Sequence, residues 1–213
     1  SHYYADTAEK LFWKGYDAAA QTAEAEAYIR AHRQKPFLLV VSWGPPHNPY
    51  ETAPEEFRRL FSPDQIKLRP NVPPEAADAA RRDLAGYYAH CAALDAYVGR
   101  ILQTLKACGL AENTILVFTS DHGDMLGSHA EIRKQRPWDE SILVPFLTHW
   151  PKGLGAAARK LSTPLVAPDI MPTLLGLCGL AIPATVEGLN RSAWLRGKEP
   201  ESDRAALITC VTP

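Results

Sequence analysis

Two uninterrupted apolar runs, with a long amphipathic segment between them, constrain this chain of 213 residues more than any other feature. They are residues 37–43 (FLLVVSW) and 114–119 (TILVFT), and such runs are typical of strands covered on both faces in a parallel sheet. Between them, apolar residues recur at steps of three and four, which predicts a helix with Asp83 as its N-cap and an end near Gly109. This alternation predicts an α/β fold with a mostly parallel sheet flanked by helices.

The remaining elements follow from the same kinds of pattern. A weakly amphipathic segment ended by Pro36 predicts a first helix, and a proline-rich stretch with interspersed charges predicts a long surface loop. The predicted elements are a helix at 16–33, the loop at 45–74, strands at 142–148, 161–166 and 205–209, and a helix at 168–178. The chain is long enough for these elements to share one core.

Composition and charge narrow the range of partners. Lysine and arginine number 23 and aspartate and glutamate 24, so the net charge gives no reason to expect nucleic acid as a partner. The longest apolar stretches are too short for a membrane span. The four cysteines have no CxxC spacing and are expected as buried free thiols, which leaves a periplasmic, extracellular or cytoplasmic location open. The sequence starts at Ser1 without a leader, and we interpret this as an internal start or a processed product. The absence of a signal peptide therefore says nothing about secretion.

The first candidate for a chemical site begins where the second apolar run ends. The sequence turns polar at once in residues 119–129 (TSDHGDMLGSH), and ligands in open α/β sheets bind at such carboxyl ends of strands. At this turn, eased by Gly123, Asp121 and His122 can converge on one cation. A carboxylate with an imidazole suits Mn²⁺ or Zn²⁺, whereas Ca²⁺ prefers oxygen ligands. The alternative is that Asp121 caps the next helix and His122 is an ordinary surface histidine.

Three segments, taken in order, resemble the sulfatases of the alkaline-phosphatase superfamily. They are residues 37–49 (FLLVVSWGPPHNP), residues 121–129 (DHGDMLGSH), and Lys134 with Glu140-Ser141 and Val144-Pro145-Phe146. The resemblance implies an alkaline-phosphatase-like α/β fold and a sulfuric ester hydrolase. It also implies that residues 1–213 are the C-terminal portion of a sulfatase catalytic domain, a partial domain in which residues 186–213 lead into a small C-terminal subdomain.

The same resemblance assigns roles to four residues. Asp121 and His122 would be metal ligands, with Ca²⁺ expected from the family and Mn²⁺ or Mg²⁺ as alternatives. His47 would hold a sulfate oxygen and donate a proton towards the leaving alcohol oxygen, and Lys134 would place positive charge on the sulfate oxygens. Both would therefore be catalytic and substrate-binding residues. Without the resemblance, the preferred interpretation of His47 is an exposed loop histidine and that of Lys134 is an exposed lysine.

Neighbouring residues receive lesser roles. Asp124 and His129 are expected to shape the metal-bearing loop or to hydrogen-bond the ligands. His90 lies between core positions of the long helix and is expected to be structural. The loop at 45–74 is the candidate for substrate specificity.

The sequence departs from the family in its nucleophile. Sulfatases use a formylglycine made from cysteine in a CxPSR-type motif, together with an acidic pair that completes the metal site, and neither occurs here. The segment Cys210-Val211-Thr212-Pro213 resembles the motif only superficially. We therefore expect the formylglycine in a missing N-terminal segment. The isolated chain is expected to be inactive and to bind metal weakly, because two ligands cannot hold a hard cation firmly.

The expected substrate is a sulfated small molecule or glycan, and neither its identity nor the oligomeric state follows from the sequence. Two alternatives are left open. A phosphonate monoester hydrolase or phosphodiesterase of the same superfamily shares the Asp-His-Gly turn. A non-catalytic remnant would fold alone and serve in binding or assembly.

Overall fold

The computed structural model describes residues 2–3, 8–200 and 203–208, which fall into two compact units. The first unit comprises Ser1–Ala111 and Asp124–Lys134, and the second comprises Glu112–Gly123 and Gln135–Pro213. The first contains strands β1 (His2–Tyr3) and β2 (Leu11–Phe12) and helices α1 (Asp17–His32), α2 (Glu55–Arg58) and α3 (Ala77–Ala107). The second contains strands β3 (Leu116–Thr119) and β4 (Phe146–His149) and helices α4 (Asp139–Ile142), α5 (Pro151–Leu154), α6 (Ala167–Cys178) and α7 (Ser192–Leu195).

Helix α3 is the element against which α1, α2 and the loop turns of the first unit pack. It begins at Ala77, so the prediction that Asp83 caps it is wrong. The reason is that the Pro74–Ala76 turn leads directly into the helix, and the alanines and arginines that follow favour helical conformation. At the other end, the amide of Cys108 bonds the carbonyl of Thr104 and Gly109 has φ of 71°, as predicted for the helix terminus.

Small side chains allow α1 and α3 to approach closely. Ala18 on α1 and Ala93 on α3 are fully buried and share a cluster with Leu94 and Tyr97. Burying a side chain such as that of Leu94 contributes roughly 2 kcal/mol. The helix predicted at 16–33 is confirmed, because α1 lies within that range.

A second cluster attaches two loops to α3. Ile66 from the 45–74 loop and Leu126 from the 124–134 segment pack against Leu84. The 45–74 region is irregular apart from α2 and short 3-10 turns, which confirms the predicted surface excursion. Helix α3 thereby positions both loops.

The apolar run at 37–43 is extended but belongs to no strand ladder within the described residues. Leu38 and Val40 are 81% and 78% exposed. Leu39 and Val41, on the other face, are half-buried, and together with Val40 and residues of α1 they line a cavity of about 560 Å³. The prediction of a strand buried on both faces is therefore wrong for the described part of the chain, because α1 covers one face of this segment.

The second unit contains an antiparallel strand pair. Strand β3 pairs with β4 in a register that places Leu116 opposite His149 and Thr119 opposite Phe146. The strand predicted at 114–119 forms over Leu116–Thr119, but its residues are half-buried or exposed, so the prediction that both faces are covered is wrong for it. The strand predicted at 142–148 begins only at Phe146, because α4 extends to Ile142. Both strand pairs of the described residues, β1–β2 and β3–β4, are antiparallel, so the expected parallel pairing is not among them.

Helix α6 matches the helix predicted at 168–178, with Pro168 in its first turn. The strands predicted at 161–166 and 205–209 do not form in residues 161–166 and 205–208, and Thr209 lies outside the described residues. The buried carboxylate of Asp169 accepts a hydrogen bond from the Leu189 amide at 2.8 Å and pairs with Arg204 at 2.8 Å. These contacts attach the segment after α6 to the helix.

Cys91 and Cys178 are free and exposed, and Cys108 is free and half-buried. The expectation of buried thiols is therefore wrong for Cys91 and Cys178, which lie on the outward faces of their helices, and Cys210 lies outside the described residues. Across residues 2–3, 8–200 and 203–208, no helix is long and apolar enough to cross a membrane.

Candidate functional site

His47 lies on an exposed turn directly after the apolar run at 37–43. Its amide bonds the carbonyl of Gly44 at 3.2 Å, which closes the turn. Its ring Nδ1 lies 2.7 Å from the carbonyl oxygen of Asn48, and since a carbonyl only accepts, Nδ1 carries the proton. The lone pair of the imidazole is therefore on Nε2.

The side chain of Lys134 contacts Nε2 of His47, the nitrogen that has this lone pair. Its Nζ lies 3.0 Å from Nε2 of His47, although the two residues are 87 positions apart in the sequence. An ammonium group only donates, so His47 accepts this hydrogen bond as a neutral imidazole. The first unit thus brings both residues assigned to sulfate binding into direct contact.

The backbone around Lys134 has an unusual conformation. Arg133 and Gln135 have φ of 66° and 67°, in the left-handed region that non-glycine residues rarely adopt. The carbonyl of Arg133 accepts a hydrogen bond from the amide of the fully buried Met125 at 2.6 Å. Earlier in the same segment, Gly127 packs so close to α3 that a Cβ there would lie 2.6 Å from Cβ of Ala80. Contacts at both ends of the segment therefore hold Lys134 in place.

A side-chain hydrogen bond links the two loops that carry His47 and Lys134. Tyr50 Oη donates to Asp124 Oδ2 at 2.7 Å, and Asp124 Oδ1 accepts from the amide of Leu126 at 3.2 Å. Burial, and then the hydrogen bond to Asp124, raise the pKa of Tyr50 far above its usual value of 10. Tyr50 therefore stays protonated and donates, and Asp124 lies where it shapes the loop.

Asp121 and His122 form the candidate metal pair of the second unit. The side chain of Asp121 is 83% exposed, and its Oδ2 lies 3.5 Å from Nε2 of His122. Nδ1 of His122 lies 2.7 Å from the carbonyl oxygen of Gly123, so Nδ1 carries the proton and Nε2 has the lone pair. The amide of Gly123 bonds the carbonyl of Ser141 at 2.8 Å. A Cβ on Gly123 would lie 2.1 Å from the carbonyl oxygen of Glu140, so only glycine fits this turn.

The donor chemistry of this pair fits part of a divalent metal site. An exposed carboxylate and a neighbouring imidazole lone pair can serve as two ligands of one cation, and the bond from Nδ1 to Gly123 fixes the tautomer that ligation needs. Within the ranges that the structure describes, no group of three or more His, Cys, Asp or Glu side chains could hold a metal ion. Asp121 and His122 are thus two candidate ligands by their donor chemistry.

Two of the contacts could not be read from the sequence pattern. The Tyr50–Asp124 bond joins residues 74 positions apart, and the only local signal was an aromatic residue close after His47. His129, expected near the metal loop, donates its amide to the carbonyl of Asn71 at 2.8 Å, and its Nε2 lies 3.1 Å from the Asn71 side-chain nitrogen. That contact holds the segment to the residues before α3.

Comparisons with known proteins agree on one family. The family model described as Sulfatase matches residues 1–180. An ulvan-active sulfatase of Formosa agariphila is 40% identical over 216 residues, which cover 100% of this chain and 42% of that protein.

Solved structures give the same result for the fold. A crystal structure from Bacteroides fragilis, of a protein provisionally described as the sulfatase yidJ, has a TM-score of 0.86 at 31% identity and covers 96% of this chain and 47% of its own. The phosphonate monoester hydrolase of Agrobacterium radiobacter has a TM-score of 0.74 at 27% identity over 90% of this chain and 45% of its own. The predicted alkaline-phosphatase-like α/β fold is confirmed as a partial domain, and the chain spans less than half the length of these proteins.

Proposed function

This chain belongs to the sulfatase family, and from that premise we propose that the full-length protein hydrolyses sulfate monoesters, with His47 and Lys134 acting on the ester. The observation that carries the proposal is the 3.0 Å contact between Lys134 Nζ and His47 Nε2. It joins a fixed positive charge to an imidazole nitrogen on the surface of one unit. That combination suits a tetrahedral anion whose leaving group must be protonated.

The contact suggests how the pair would work. A sulfate oxygen can replace Nε2 of His47 as the acceptor of the Lys134 ammonium, which leaves the Nε2 lone pair free to take up a proton from solvent water. When the bond between sulfur and the ester oxygen breaks, that proton passes from Nε2 to the leaving oxygen, so the alcohol departs neutral. Lys134 remains charged and stabilises the negative charge on the sulfate oxygens.

Two further parts of the proposal lie outside this pair. A divalent cation held by the Asp121 carboxylate and Nε2 of His122, Ca²⁺ by family resemblance with Mn²⁺ or Mg²⁺ as alternatives, would act as a Lewis acid towards the sulfate oxygens. The nucleophile would be a formylglycine in a part of the protein outside this chain. The chain alone would accordingly be inactive and bind metal weakly, because it supplies two ligands.

One relative supports a proposal for the substrate class. The Formosa agariphila protein is described as an ulvan-active sulfatase, which favours a sulfated glycan as the substrate here too. The 45–74 loop would contact that glycan beside the sulfate group, because it carries His47.

A second candidate function is hydrolysis of phosphonate monoesters or phosphodiesters. It is favoured by the superposition on the phosphonate monoester hydrolase at a TM-score of 0.74. Sulfate and phosphonate esters are both tetrahedral and anionic, so a positive charge beside an imidazole serves either one.

One experiment distinguishes the two candidate functions. The full-length protein is assayed with an aryl sulfate and with an aryl phosphonate monoester that share one leaving group, and Lys134→Met is assayed beside the wild type. We expect a higher kcat/KM for the sulfate, and its loss in the variant. A higher kcat/KM for the phosphonate overturns the first proposal in favour of the second. Equal, metal-independent rates for wild type and variant contradict both.

A further inference from the structure

His90 is a buried polar residue for which the proposed chemistry has no role. It lies on α3, is 1% exposed, and uses both ring nitrogens. Nε2 lies 3.3 Å from the carbonyl oxygen of Pro49, so it carries the proton and donates, and Nδ1 lies 2.7 Å from Tyr16 Oη, so Tyr16 donates to it. The rings of Tyr16 and His90 also stack, with centroids 5.6 Å apart. The imidazole is thus a fully bonded, neutral bridge.

This bridge ends on the turn that carries His47. Pro49 is two positions after His47, and the carbonyl that fixes Nδ1 of His47 belongs to the residue between them, Asn48. One turn earlier on α3, a Cβ on Gly86 would lie 2.5 Å from the carbonyl oxygen of Tyr50. The helix therefore contacts two consecutive carbonyls of the turn, at Pro49 and at Tyr50.

Packing alone does not account for a histidine at this position. A buried apolar side chain would fill the space without two directed hydrogen bonds. The Pro49 carbonyl already accepts from the amide of Thr52 at 3.3 Å and from its Oγ1 at 2.7 Å, so the contribution of the imidazole is to tie that carbonyl to α3. The two hydrogen bonds also fix the orientation of the imidazole ring, because Tyr16 Oη bonds one ring nitrogen and the Pro49 carbonyl bonds the other. Such a bridge fixes the position of the carbonyl more tightly than apolar contact does.

We propose that His90, held by Tyr16, is a positioning residue that fixes the 47–50 turn so that Nε2 of His47 faces Lys134. This inference rests on the proposed function of His47 and deepens it. It predicts that disturbing the bridge weakens proton donation to the leaving group more than it weakens substrate binding.

Two substitutions of His90 each keep one of the two hydrogen bonds of its ring and remove the other. In His90→Gln the amide nitrogen takes the place of Nε2 and can still donate to the Pro49 carbonyl. In His90→Asn the amide oxygen takes the place of Nδ1 and can still accept from Tyr16, but the bond to Pro49 is lost. Tyr16→Phe removes the other bond and keeps the ring. His32→Asn is the matched control, because the His32 ring also bonds a backbone carbonyl, that of Tyr28 at 2.9 Å, within α1.

The full-length protein is assayed with two sulfate esters, one with a nitrophenol leaving group and one with a poor alkyl leaving group. For the alkyl ester we expect kcat to fall about tenfold or more in His90→Asn, with KM nearly unchanged, and to be largely restored in His90→Gln. The nitrophenyl ester, which needs little protonation, should lose much less. His32→Asn should match the wild type with both esters.

Two results overturn the inference while leaving the proposed function intact. In the first, the wild type is active, and His90→Asn and Tyr16→Phe both keep the wild-type kcat for the alkyl ester. In the second, His90→Asn loses the same factor in kcat with both esters, or His90→Gln does not restore the kcat, as a merely structural role would predict. If the wild type hydrolyses no sulfate ester, the proposed function fails. A crystal structure of His90→Asn then decides the inference: an unchanged 47–50 turn overturns it, and a displaced His47 supports it.

Discussion

The His47–Lys134 pair and the Asp121–His122 pair are built in opposite ways. His47 and Lys134 come from loops 87 positions apart, and long-range contacts to α3 and between the loops hold them. Asp121 and His122 are adjacent, and the hydrogen bonds of their side chains lie within their own turn, whose backbone also bonds the carbonyl of Ser141. The first pair therefore depends on tertiary structure for its side-chain contacts, whereas the side-chain contacts of the second form within one anchored turn. Substitutions should reveal this difference in activity, in stability and in metal affinity.

The largest effect is expected at Lys134. Lys134→Met in the full-length protein removes the positive charge that faces the ester, so kcat/KM for a sulfate ester should fall by about 10²- to 10³-fold. Lys106→Met, an exposed lysine near the end of α3, is the control and should leave kcat/KM unchanged. Steady-state kinetics measures both. A Lys134→Met enzyme with wild-type kcat/KM would remove this pair from the chemistry.

A smaller loss is expected where the two loops are joined. Tyr50→Phe deletes the bond to Asp124, which should lower kcat/KM about tenfold and destabilise the protein by about 1–2 kcal/mol. Tyr88→Phe is the matched control, because Tyr88 on α3 makes ring contacts with Phe61 and Tyr87 that phenylalanine keeps. Kinetics and chemical denaturation of both variants measure the difference. Equal behaviour of the two variants contradicts the proposed link.

The bridge at His90 should make the first unit sensitive to acid. Burial lowers the pKa of His90 below 6.5, and the Pro49 carbonyl and the carboxylates of Asp17 and Glu51 oppose that shift in part. The unfolded chain, with an ordinary histidine, therefore binds a proton at higher pH than the folded chain does. Stability is fully present above pH 6.5 and declines as the pH falls from 6.5 towards the lowered pKa.

Thermal unfolding from pH 8 to pH 5 tests this dependence. Below pH 6.5 the wild type should lose more of its Tm than His90→Gln does, because the variant has no imidazole to protonate. His32→Gln, which alters an α1 histidine, should keep the wild-type dependence. Parallel curves for wild type and His90→Gln would show that His90 does not carry the effect.

The smallest effect on stability is expected at Asp121. Its carboxylate is 83% exposed, so Asp121→Asn should change the free energy of unfolding by less than about 0.5 kcal/mol. The same substitution should weaken metal binding by the full-length protein at least about tenfold, because it removes a charged ligand. Calorimetric titration with Ca²⁺, Mn²⁺ and Mg²⁺ measures this, with Asp139→Asn as an exposed control. A large loss of stability without loss of metal affinity would mean that Asp121 has a structural role.

The local part of this architecture could be predicted from the sequence. Periodicity located α1, most of α3 and α6, and the polar turn after β3 drew attention to Asp121 and His122. The segment at 37–43 was predicted as a strand buried on both faces because all of its side chains but one are apolar. An apolar sequence shows that a segment can be buried but not which elements cover it, and Leu38 and Val40 are exposed. Sequence spacing also carries no information on partners 74 positions apart, so the Tyr50–Asp124 and Tyr16–His90 bonds were beyond its reach.

A double-substitution cycle at His47 and Lys134 tests the central claim most directly. The kcat/KM of the full-length protein for one sulfate ester is measured for wild type, His47→Gln, Lys134→Met and the double variant. If the two residues act on the ester as a unit, each single variant loses at least about 10²-fold and the double variant loses little more than the worse single one. Single variants that retain wild-type kcat/KM, or losses that multiply in full, would contradict the account.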